Sequence, residues 1–221
     1  MASFRFIAAA LALSFATAAS GQSIPSALAQ AVAQTEAAKA PYAFDIELQG
    51  SDRSWRARFH PDRNPRVSLL APRRDELSSD EQRAFDAYAR DVEGVSWCAS
   101  ENMGRVRDVQ LLREDATTAT YSFQPTAESI RGEQARRYAD RLRGEVTLSK
   151  EAPDVTSLRL FVPARFSPMP LVDVRRFNVT VTCQLAPNGR RYAAETVSEI
   201  SVSAFGRDVE QRTVQRARIV Q

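Results

Sequence analysis

Tyr42-Ala43-Phe44-Asp45-Ile46-Glu47-Leu48-Gln49-Gly50-Ser51-Asp52-Arg53-Ser54-Trp55-Arg56-Ala57-Arg58-Phe59 holds two runs of strict two-residue periodicity joined by a turn. Side chains of a strand point alternately to its two faces. Tyr42, Phe44, Ile46 and Leu48 therefore share one face, against Asp45, Glu47 and Gln49 on the other. Beyond Gly50-Ser51-Asp52, Trp55, Ala57 and Phe59 alternate with Arg56 and Arg58. The pattern predicts a hairpin with one apolar and one charged face.

The same period recurs downstream. Strands are expected over Val67–Ala71, Arg105–Arg113 and Thr117–Gln124, and around Leu142–Leu148 and Leu158–Val162. A long strand carries Phe177, Val179, Val181, Cys183 and Leu185 on one face, and Pro187-Asn188-Gly189 turns it back. Arg191–Ser203 and Asp208–Ile219 close the chain. Helical spacing appears in three places. Ser23–Ala38 places Ile24, Leu28, Ala31, Val32 and Thr35 on one stripe. Ser78-Ser79-Asp80-Glu81 has the form of a capping box before the stripe Ala84, Phe85, Tyr88, Ala89 and Val92, and Gly94 stops that helix. A polar helix is expected from Pro125 to about Asp140. Strands in sequential hairpins, with few helices between them, predict an α+β fold that is mainly antiparallel β. The expected form is a strongly curved sheet or unclosed β-barrel of about nine or ten strands, covered by two or three helices.

The first residues read as an export signal. Arg5 is the only charge before Glu36, an apolar run follows from Phe6 to Ala16, and small residues lead out through Thr17-Ala18-Ala19-Ser20-Gly21. The run is too short to span a bilayer. Cleavage is expected between Ala18 and Gln22, giving a signal peptide over 1–21 and a single exported, soluble periplasmic domain over 22–221, with no integral membrane span after cleavage. In an oxidising compartment Cys98 and Cys183 are a disulfide candidate, with two separate buried thiols as the other reading. Losing Arg5 takes the net charge of +3 to +2. Arginines alternate with acids, so a nucleic-acid partner is not expected.

Signatures of catalysis are missing. His60 is the lone histidine, beside Pro61, and no Gly-x-Ser-x-Gly elbow exists. No His/Cys cluster suggests a metal, and the eight scattered glycines form no phosphate loop, so no cofactor is expected. The carboxylate pairs Asp75/Glu76, Asp80/Glu81 and Glu114/Asp115 lie in arginine-rich stretches and read as solvated surface. A transmembrane barrel would need lipid-facing apolar girdles; helices with aromatic stripes between the strands argue instead for covers over a sheet. If those covers leave a gap, Phe44, Ile46, Phe59, Phe85, Tyr88, Tyr121, Phe123, Phe177 and Val179 are the candidate ligand-binding residues of an apolar cavity.

The order of elements, with Leu142-Arg143-Gly144-Glu145-Val146-Thr147-Leu148, Leu158-Arg159-Leu160-Phe161-Val162-Pro163 and the Pro187-Asn188-Gly189 hairpin, resembles the LolA-like periplasmic lipoprotein-carrier superfamily. The resemblance covers roughly Ser23 to Ile219. It implies an unclosed β-barrel with helices as a lid and an interior that receives acyl chains. The expected function is non-enzymatic binding of lipid or a lipidated protein. The alternatives are a cell-envelope interaction or stress-sensor module whose partners are envelope proteins, and a hydrolase using acidic residues.

Overall fold

A computed structural model describes residues 24–37, 41–51, 54–100, 103, 105–130 and 136–220; the expected signal peptide lies outside them. The chain forms α1 (Ser26–Ala37), β1 (Phe44–Gln49), β2 (Ser54–Phe59), β3 (Val67–Ala71), α2 (Ser79–Asp91), β4 (Val106–Glu114), β5 (Thr118–Pro125), β6 (Arg143–Ser149), β7 (Val155–Phe161), β8 (Phe166–Met169), β9 (Val172–Leu185), β10 (Arg191–Ala204) and β11 (Arg207–Ile219). One antiparallel sheet, curved and unclosed, runs β3-β2-β1-β11-β10-β9-β7-β6-β5-β4. β8 pairs with the start of β9, through Phe166↔Val174 and Met169↔Val172.

Two differences from the sequence expectation concern helices and strands. In place of a helix from Pro125 to Asp140, β5 continues through Pro125, and 3-10 turns occupy Ala127–Ser129 and Ala139–Arg141. Gln124 explains the break. Its buried side chain donates Nε2 to the carbonyls of Ala139 (2.7 Å) and Leu142 (2.9 Å) and accepts from Arg143, which pins the returning segment against the end of β5. Strand β8 falls in the proline-punctuated stretch, where Pro168 hides the strand pattern.

Each helix closes one side of the curved face. Leu28, Ala31 and Thr35 of α1 are buried, and α1 joins Val109, Phe123, Val146, Leu148, Val155 and Cys183 in one core. Gly144 on β6 lies under the Phe123 ring, where any added methyl would overlap it. Helix α2 starts at a capping box, with Ser78 N donating to Glu81 Oε2 (2.8 Å) and Ser78 Oγ accepting from Glu81 N (3.3 Å). Its Phe85 and Tyr88 pack on Trp55, with ring centroids 5.4 and 4.8 Å away. Phe44, Ile46, Ala57, Phe59 and Val67 complete that second core.

A buried charge pair holds α1. Arg190, after the β9–β10 turn, donates to Ala31 O (3.0 Å), Gln34 Oε1 (2.8 Å) and Thr35 Oγ1 (3.2 Å), and its Nη2 lies 3.2 Å from Asp154 Oδ1. Asp154 also accepts from Val155 N (2.8 Å) and Arg191 N (2.9 Å). Burial raises the pKa of this carboxyl, while these donors act to lower it. The Cys98–Cys183 disulfide forms, across 85 residues, and ties the segment after α2 to β9. Ionic groups line the convex face, with Asp45–Arg58 at 2.5 Å, Arg216–Glu195 at 2.8 Å and Arg175–Asp208 at 2.8 Å.

Two outcomes are expected. Reduction, or Cys98→Ser with Cys183→Ser, lowers the unfolding free energy in urea by about 4 kcal/mol on the chain-entropy account. An unchanged midpoint would show that the bridge adds nothing. Burial pushes the Tyr88 phenol from 10.0 up to about 12. Its contribution to stability is thus full below pH 10 and is lost as the pH rises towards 12. Alkaline unfolding followed by near-UV absorbance should show this loss, and Tyr88→Phe should remove it.

Candidate functional site

The two helix-covered cores leave a strip of the curved face between them. Cross-strand partners share a face, so the register identifies its floor. One row reads Leu158↔Val181↔Thr196↔Gln215↔Leu48, the next Leu160↔Val179↔Ser198↔Thr213, and the third Phe177↔Ile200↔Gln211. Val181 packs against the α1 core and Leu48 against the α2 core, which places this floor on the helix side of the sheet. Val179, Ile200 and Val202 belong to neither core and are half-buried, as are Thr196, Ser198, Gln211, Thr213 and Gln215. None of these five polar side chains makes a hydrogen bond with another described residue.

The floor is uncharged over these rows. Apolar side chains from β7, β9 and β1 flank a central track of hydroxyls and amides from β10 and β11. Charges occupy the opposite face of the same strands: Glu195, Glu199, Arg212 and Arg216 alternate with the floor residues, and Glu199 and Arg212 lie 3.7 Å apart. Arg207, opposite Ala204, is the charge that the register brings to this side, and it is exposed at the hairpin end.

The nine candidate ligand residues divide among four places. Phe44, Ile46, Phe59, Phe85 and Tyr88 come together in the α2 core, where Phe44 and Phe59 stack at 5.0 Å. Tyr121 and Phe123 belong to the α1 core. Phe177 packs with Ile130, Ala139, Leu142, Leu160 and Val162. Val179 alone lies on the open floor. Phe44, Ile46, Phe59 and Phe85 are at most 4% exposed, so their contacts are side chain to side chain.

Sequence reasoning missed Thr196, Ser198, Ile200, Gln211, Thr213 and Gln215. In Thr196-Val197-Ser198-Glu199-Ile200-Ser201-Val202 small polar and β-branched residues fall on both faces, so alternation marks neither as inward. The pairing to β9 supplies the signal that the strand itself lacks.

The acidic pairs have structural partners. Glu76 bonds Arg73 (3.0 Å), Asp80 pairs with Arg83, Glu81 caps α2, and Glu114 meets Lys150 at 2.9 Å. Asp115 accepts from the backbone of Thr117 (2.8 Å) and Thr118 (2.7 Å), which hold its carboxyl well below the usual range. His60 ends β2, its backbone N–H bonded to Arg66 O at 2.7 Å. Among the described residues no group of three or more His, Cys, Asp or Glu side chains could hold a metal, and no helix is long and apolar enough to cross a membrane. No protein-family model matches the chain, and neither a curated protein nor a solved structure is significantly similar to it.

Proposed function

We propose that this chain is a non-enzymatic binding protein for an acyl chain, carried by a lipid or a lipidated protein, and that it acts in the periplasm. The observation that carries the reading is the half-buried, uncharged floor around Val179 and Ile200, between two cores that are themselves filled. Apolar surface left in contact with water at the centre of a fold is unfavourable by about 25 cal/mol per Å². An acyl chain laid along it would gain about 0.8 kcal/mol per buried methylene. Shallow hollows elsewhere, such as one of about 360 Å³ beside Arg74 and Asp86, have charged rims and suit an alkyl chain less well. The disulfide favours an oxidising compartment.

Val179→Arg and Ile200→Arg should each abolish retention of 1-aminoanthracene, and of any lipid recovered by organic extraction, while the urea midpoint changes little. These positions test the reading better than Phe85, whose replacement by a charge would unfold the α2 core. Wild-type retention in both variants would refute the assignment.

An envelope interaction module is favoured by one separate feature. The β8–β9 and β10–β11 turns lie side by side, joined by Phe205 N to Leu171 O at 2.9 Å, and they expose Leu171 (74%) and Phe205 (72%). Both residues have left-handed backbone, with φ of 65° and 51°, where bulky side chains are disfavoured. Phe205→Asn should therefore raise stability by about 1 kcal/mol in thermal unfolding. A loss instead would show that Phe205 packs usefully within the fold.

A further inference from the structure

The floor also specifies the chemistry of its ligand, an inference that rests on the binding reading above. We infer that the trough takes a neutral acyl ester or amide, with its alkyl chain against β7 and β9 and its carbonyl group over the β10–β11 track. Three observations combine. Val179, Val181, Leu158, Leu160 and Ile200 provide an alkyl-sized apolar lane. Alongside it, Thr196↔Gln215 and Ser198↔Thr213 are adjacent cross-strand pairs, continued by Gln211. Their hydroxyls and amides have no described protein partner. Such groups both donate and accept, which matches a carbonyl oxygen and an amide N–H.

The charge pattern excludes an anionic head at this position. A carboxylate or phosphate removed from water needs a cation beside it. The arginines of β10 and β11 neighbours, Arg212 and Arg216, point to the convex face and pair there with Glu199 and Glu195. Arg207 lies four residues from Gln211, about 13 Å along an extended strand. An anionic lipid could therefore place its chain in the lane only with its head outside the trough.

The test uses the full oxidised domain at pH 7 and four probes of one chain length: a monoacylglycerol, an N-terminally acylated peptide amide, the free fatty acid and a lysophosphatidylglycerol. Each competes with 1-aminoanthracene. Both neutral probes are expected to bind at least about tenfold tighter than the two anions, and the tighter of them distinguishes a free lipid from an acylated chain end. Ser198→Ala with Thr213→Val should weaken neutral-probe binding about tenfold, the loss expected from about two neutral hydrogen bonds. Binding of 1-aminoanthracene itself should be unchanged. Equal affinity for the fatty acid or the phosphate, or no effect of the double variant, overturns this inference and leaves the acyl-binding reading standing. Failure of 1-aminoanthracene and every probe to bind overturns both.

Discussion

The limiting constraint is the supply of apolar cover. Ten strands at about 4.8 Å each make an arc of about 48 Å, and a helix with its side chains covers about 10 Å. Two helices, α1 and α2, therefore shield less than half of the curved face. The sheet responds in two ways. It curls, so that outer strands bring their apolar residues under the helices. Along the middle it exchanges large apolar residues for threonine, serine and glutamine, which tolerate water. The mixed floor is the chemical result of a wide sheet with few covers.

How firmly the walls stand then decides how well the middle keeps its shape. Arg190 and Asp154 fix α1 at the upper ends of β9 and β10, in a pair whose charges are almost wholly removed from solvent. Such a pair adds little net stability, yet loss of one partner leaves an unsatisfied buried charge. Its contribution is positional. On the other wall, the Ser78–Glu81 capping box and the Trp55–Tyr88 contact set where α2 begins and how closely it lies on β2.

The sequence revealed most where one face of a strand is buried and the other solvated. Phe44-Asp45-Ile46 and Trp55-Arg56-Ala57 gave their hairpin directly, and the α1 and α2 stripes faced inward as read. Local pattern failed where the deciding contact is distant. The end of β5 depends on Gln124 reaching Leu142, eighteen residues away, and no periodicity encodes that bond. Strand β8 carries a proline. The trough was illegible for a different reason: its residues are chosen to be neither core nor surface, and only their register with β9 shows which way they face. Large aromatic residues drew attention in the sequence, but their size suits them to fill the cores rather than to line a gap.

An unclosed barrel keeps two free edges, and both are poor templates for another strand. On β4, register shifts between Arg107 and Gln110 and between Leu111 and Arg113, with Asp108 at φ 54°, break the row of outward amides into short pieces. On β3, five residues stand between Pro65 and Pro72, which donate no N–H. Interrupted edges of this kind resist zipping to a neighbouring sheet. The fold can thus leave its barrel open for a guest without inviting copies of itself to polymerise along the rim.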